Sequence, residues 1–100
     1  MNLLIAVSFK AIGSKEADEV HREEVIRIIK ESELSYLEHD LFIEIEGPYD
    51  EVMETVKKSA YKLAEKDIRV VITMKGDIRP GVGNNMTEKI NRINTQLEKE

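Results

Sequence analysis

An α+β sandwich is the fold this sequence predicts: four antiparallel strands, two helices covering one side, and an added C-terminal helix. Three observations predict it. Apolar residues alternate with a period of two in four segments and recur at helical spacing in three others. The signals follow one another as β-α-β-β-α-β before the last helix, which is the ferredoxin-like order when the crossovers are right-handed. The chain has 100 residues, and cores rarely divide below roughly 200, so 1–100 is expected to be one domain.

The first strand is read over Asn2 to Phe9, with Leu3, Ile5, Val7 and Phe9 on one face and Leu4, Ala6 and Ser8 on the other. Ala11-Ile12-Gly13-Ser14 connects it to a helix over Glu16 to Ser32, with Ser14 placed as a cap. Ala17, Val25, Ile28 and Ile29 make that helix's apolar stripe, while Asp18 and Glu19 suit the positive end of its dipole. Glu33 to His39 and Leu41 to Glu46 read as a hairpin turning at His39-Asp40, ended by Gly47-Pro48. A second helix, about Tyr49 to Lys66, buries Val52, Met53, Val56, Ala60, Leu63 and Ala64. Ile68 to Lys75 is the last strand and Gly76 to Asn84 a loop. Met86 to Lys99 is a helix with a narrow seam of Met86, Ile90, Ile93 and Leu97.

Composition narrows the function. The absence of cysteine rules out a disulfide scaffold, thiolate metal sites and a cysteine nucleophile. A net charge of −5 opposes broad binding to nucleic acid or anionic lipid. The longest apolar run is five residues, Leu3 to Val7, far short of the roughly 18 a membrane span needs. No basic leader with a cleavage site is apparent, so a cytoplasmic protein is expected, with no membrane partner. RNA-reading sheets of this topology stack bases on aromatics set among basic residues. Here Phe9 stands alone on the first strand and the last has no aromatic, so no nucleic-acid partner is expected.

If the larger alternating set faces the helices, the other sheet face carries Leu4, Ala6, Ser8, Phe42, Glu44, Val71, Thr73 and Lys75. Such a face, apolar yet threaded with hydroxyls and charges, is not expected to stand bare in water. A second copy of the chain, a small ligand, or both would cover it.

His21 lies near a buried stripe and reads as a hydrogen-bonded core imidazole, and His39 reads as a hairpin residue. The sequence pairs neither with a nucleophile. Helical carboxylates such as Glu23, Glu24, Glu54 and Glu65 read as a solvated face. Glu44 and Glu46 differ, because a strand sets them on the open face. There they could accept from a ligand amine or form inter-subunit ion pairs with Lys75 or Arg79. Gly81-Val82-Gly83 before the last helix, with Lys75 and Arg79 upstream, makes Lys75, Arg79 and Gly83 a candidate anion site. An acylphosphatase-like hydrolase would need an Arg in a glycine-rich loop after the first strand, and Lys10 to Gly13 has none.

Certain segments carry a more specific resemblance. Ala6-Val7-Ser8 followed by Ile12-Gly13, the Tyr36…Ile45-Glu46-Gly47 hairpin, and Arg69 to Lys75 followed by Asp77 and Arg79 resemble the YkoF-like thiamine-binding family. The resemblance spans nearly the whole chain and is most specific around Thr73, Lys75, Asp77 and Arg79. It implies a ferredoxin-like domain that pairs into homodimers and homotetramers. It also implies non-catalytic binding of thiamine or its hydroxymethylpyrimidine moiety, without a cofactor or metal, for transport, salvage or homeostasis. This chain departs from the family where Ile43 replaces a frequent Thr, Ala11 a frequent Pro, and Gly76, Ile78 and Pro80 a more polar loop. Resemblance and strand alternation together make Ser8, Phe42, Glu44, Thr73, Lys75 and Asp77 the expected ligand-binding set. Phe42 and Val71 would supply surface, Ser8 and Thr73 hydroxyls, and Glu44 an acceptor for an exocyclic amine. The alternative is an oligomeric structural or regulatory module whose open face serves only assembly.

Overall fold

Alternating Ile, Val and Leu in the N-terminal segment produce a strand, β1, that runs over Asn2–Ile12. A computed structural model describes residues 1–66 and 68–81 of the chain. After β1 come α1 (Asp18–Ser32), β2 (Ser35–Glu38), β3 (Ile43–Pro48), α2 (Tyr49–Ala64) and β4 (Arg69–Arg79). The strands form one antiparallel sheet in the order β2-β3-β1-β4. This is the expected ferredoxin-like α+β architecture. The helix expected over Met86 to Lys99 lies outside the described residues.

The core lies between the helices and one sheet face. Leu3, Ile5 and Val7 of β1 and Ile43 and Ile45 of β3 are almost fully buried there. They meet Val25, Ile26 and Ile29 of α1 and Val52, Val56 and Leu63 of α2. The α1 stripe is rotated slightly from the expected one, with His21 and Ile26 buried and Ala17 exposed. In α2, Thr55 and Ser59 are buried where Ala60 and Ala64 were expected. Their hydroxyls donate to the carbonyls of Glu51 and Thr55, each at 2.9 Å, so neither enters the core unpaired.

Several boundaries differ from expectation for local reasons. β1 continues through Ala11 and Ile12, expected as connector, because they pair with Val70 and Arg69 of β4. Gly76 to Arg79, expected as loop, are the end of β4, because every residue from Arg69 to Arg79 has a partner on β1. Gly76 stands opposite Ile5, and the alternation of Met74, Gly76 and Ile78 continues through it. Pro80 ends the strand, having no N–H for the ladder, and Gly81 follows with a left-handed φ of 76°. The first helix begins at Asp18 rather than Glu16, and Ser14 does not cap it; Ala17 is the N-cap, without a side-chain bond. β2 is shorter than expected, and β3 is shifted two residues along to Ile43–Pro48, so Gly47 and Pro48, expected to end it, belong to the strand because they pair with Leu3 and Asn2. Pro48 then leads directly into α2, whose first turn carries Asp50 and Glu51.

Candidate functional site

Register places side chains in rows on the sheet face turned away from α1 and α2. Leu37, Glu44, Ala6 and Lys75 are partners in succession across all four strands. Ser35, Glu46, Leu4 and Asp77 form the next row toward one end. Toward the other end, Ser8 pairs with Thr73. The small Ala6 is therefore the floor of a shallow patch. Glu44 and Lys75 stand one strand to either side of it, roughly 10 Å apart by strand spacing. Ser8 and Thr73 close one end and Leu4 the other.

Four of the six expected ligand residues, Ser8, Glu44, Thr73 and Lys75, thus surround one small side chain. Asp77 lies one row further along and forms an ion pair with Arg79 at 3.0 Å. Phe42 precedes β3, yet the hairpin register continues through it. The His39 N–H donates to the Phe42 carbonyl at 2.9 Å, across the turn formed by Asp40 and Leu41. Phe42 is 36% exposed, and the His39 ring stacks on it with centroids 4.5 Å apart and planes at 25°. His39 Nε2 is also 2.9 Å from Glu44 Oε1, so one imidazole joins the aromatic ring to the carboxylate.

Arg22 of α1 fixes this turn from below. Its guanidinium donates to the carbonyl oxygens of His39 and Asp40, the latter at 3.1 Å. Beside the turn, β1 outruns β3: Val7 faces Ile43, while Ser8 to Ile12 pair only with β4. The gap is a cavity of about 450 Å³ lined by the consecutive residues Val7 to Ala11, by His21 and Arg22, and by Asp40 to Ile43. This volume falls in the range of small-molecule pockets. It joins Ser8 and Phe42 but takes in neither Thr73 nor Lys75.

Two relationships here were not legible in the sequence. Ser14 Oγ lies 2.7 Å from His21 Nε2, a serine–histidine contact that the sequence did not pair. His21 is nearly fully buried, as expected, but its Nδ1 has no partner among the described residues. The other is the His39–Phe42–Glu44 arrangement. A hairpin register centred on Asp40-Leu41 would have revealed it.

Of the candidate anion residues, Arg79 is engaged by Asp77, Lys75 belongs to the row of Ala6, and Gly83 lies outside the described residues. Among the described residues, no three His, Cys, Asp or Glu side chains converge as a metal site. No described helix is long and apolar enough to cross a membrane.

Residues 6–94 match the model of a family described as thiamine-binding protein. The chain belongs to the thiamine-binding protein family. UPF0045 proteins of Mycobacterium bovis and Mycobacterium tuberculosis are each 33% identical to it over 98 residues, covering 97% of this chain and 96% of theirs. Among solved structures, a hypothetical protein of Methanocaldococcus jannascii superposes with a TM-score of 0.79 at 22% identity, covering 93% of this chain and 96% of its own. A Thermotoga maritima protein named for thiamine biosynthesis or salvage gives 0.76 at 19% identity, covering 93% and 99%. At these identities the two structures bear on the fold, which they share with this member of the thiamine-binding family.

Proposed function

We propose that the chain is a non-catalytic cytoplasmic binding protein for thiamine or its hydroxymethylpyrimidine moiety. It would act as a homodimer or homotetramer in thiamine transport, salvage or homeostasis. The observation that carries this reading is the arrangement around Ala6. A flat heteroaromatic ring needs a shallow apolar floor, a ring to pack against and a few directed polar groups. Ala6 and Leu4 supply the floor and Phe42 the ring. Ser8 and Thr73 supply hydroxyls, and Glu44 an acceptor for an exocyclic amine that would also favour a thiazolium charge. Lys75 and Asp77 complete the polar margin. Family membership supports the ligand class.

The test is a thermal-shift panel with thiamine, hydroxymethylpyrimidine and their phosphates, since a ligand that binds only the native state raises its apparent stability. A rise with one of them, reduced in Thr73→Val and Glu44→Gln, is expected. Silence across the panel would discard the reading.

A second reading, a module whose surfaces serve only assembly, is favoured by β4. It is a terminal strand of the sheet, and its Ile72, Met74 and Ile78, on the face they share with Phe9, Val7 and Leu3 rather than on the open one, are each at least 40% exposed. An oligomer that ignores every thiamine-like compound would support that reading instead.

A further inference from the structure

The group that fills the space between Phe42 and Glu44 is itself a planar nitrogen heteroaromatic. The His39 ring lies on Phe42 at 4.5 Å and reaches Glu44 Oε1 at 2.9 Å. An aminopyrimidine or thiazolium ring would use the same two partners, an aromatic face and a carboxylate. We propose that the His39 side chain is an internal occupant of this clamp. An incoming planar heteroaromatic cation would have to displace it. The inference rests on the ligand class proposed above and adds an autoinhibitory contact to that site.

Three features of the turn support displacement. Its backbone is held independently of the imidazole: the His39 N–H bonds the Phe42 carbonyl, and Arg22 takes the His39 and Asp40 carbonyls. The ring can therefore swing away while the turn keeps its bonds. The His39 side chain is 38% exposed and that of Glu44 only 14%, so the imidazole covers the carboxylate and has solvent to move into. The contacts to be broken are one stacked ring and one partly exposed hydrogen bond, together about a five- to tenfold bias. Because apparent affinity falls with the fraction of molecules whose site is open, this bias would weaken guest binding by a similar factor.

Two measurements on the full chain test the proposal. In the first, thiamine affinity is measured calorimetrically for wild type and His39→Ala under the same conditions. The variant is expected to bind about five- to tenfold more tightly. Equal or weaker binding by the variant would overturn the proposal, and weaker binding would make His39 part of the guest's own platform. In the second, imidazole is added to ligand-free protein. It should raise the melting temperature of His39→Ala by refilling the clamp, and leave wild type and His39→Ala/Glu44→Gln unmoved. If neither protein binds thiamine but imidazole restores His39→Ala, the clamp stands and the thiamine reading fails. If thiamine binds both equally and imidazole does nothing, the clamp fails and the thiamine reading stands.

Discussion

Asn2 donates from Nδ2 to Glu46 Oε2 at 2.9 Å, and the two residues are only 8% and 1% exposed. They sit on adjacent strands of the face turned away from α1 and α2, at the end of the sheet away from the hairpin turn. A carboxylate so buried depends on its donors. Asn2→Ala should therefore cost about 1.5–3 kcal/mol, the range for a buried charged acceptor that loses a hydrogen bond. Asn2→Asp, which sets like charges together, should cost more. Urea denaturation of the two variants checks both the size and the order.

Lys66 gathers two carboxylates from far away in the chain. Its Nζ reaches Glu16 at 3.0 Å and also binds Glu24 Oε1, tying the segment after α2 to α1. The hydrogen bond it donates to Glu24, followed by that to Glu16, raises its pKa above the ordinary lysine value of 10.5. A raised lysine pKa stabilises the fold below the unfolded value, and that contribution is lost as pH climbs through the folded one. Lys66→Met should therefore lower the melting temperature at neutral pH. The gap from wild type should close above pH 10.5. A gap that persists unchanged there would place the effect in packing.

Gly47 closes against the core. A Cβ there would lie 2.6 Å from Leu34 Cδ2 and 3.7 Å from Val52 Cγ2. Leu34 is itself buried, so its methyl has little room to retreat. Gly47→Ala should cost about 1–3 kcal/mol by overpacking. In a double-mutant cycle with Leu34→Ala the two losses should sum to less than their parts, because the second change removes the clash.

Self-association is the fourth expectation. Val71 lies half-buried on the face turned away from α1 and α2, opposite Lys10 and outside the Ala6 patch. Light scattering after size exclusion should find a homodimer or homotetramer. If that face mediates it, Val71→Arg should shift the population toward smaller species. A wild-type monomer would contradict the expectation.

Strand alternation made much of this legible. The period-two residues of β1 and β3 divide between core and open face as their spacing predicts, and the Ala6 patch follows from that division once register is known. Other features depend on partners distant in sequence. The length of β4 was hidden because Gly76 and Pro80 look like loop punctuation, and only the eleven-residue β1 opposite shows that the strand continues to Arg79. Thr55 and Ser59 look like surface residues until their bonds to the preceding helical turn make their burial tolerable. Ser14 and His21 meet because a left-handed Gly13 turns the chain after β1, a conformation that residue type permits but does not require. Phe42 and His39 were each noticed singly. What joins them is the turn geometry, which composition does not specify.

Ala6→Leu tests the central claim most directly, since it raises the floor of the patch without touching any of the polar groups around it. Titration calorimetry with thiamine should show at least about a tenfold loss of affinity relative to wild type, while circular dichroism and melting confirm an intact fold. Thiamine bound by wild type and Ala6→Leu with the same affinity would mean that the guest does not lie over Ala6.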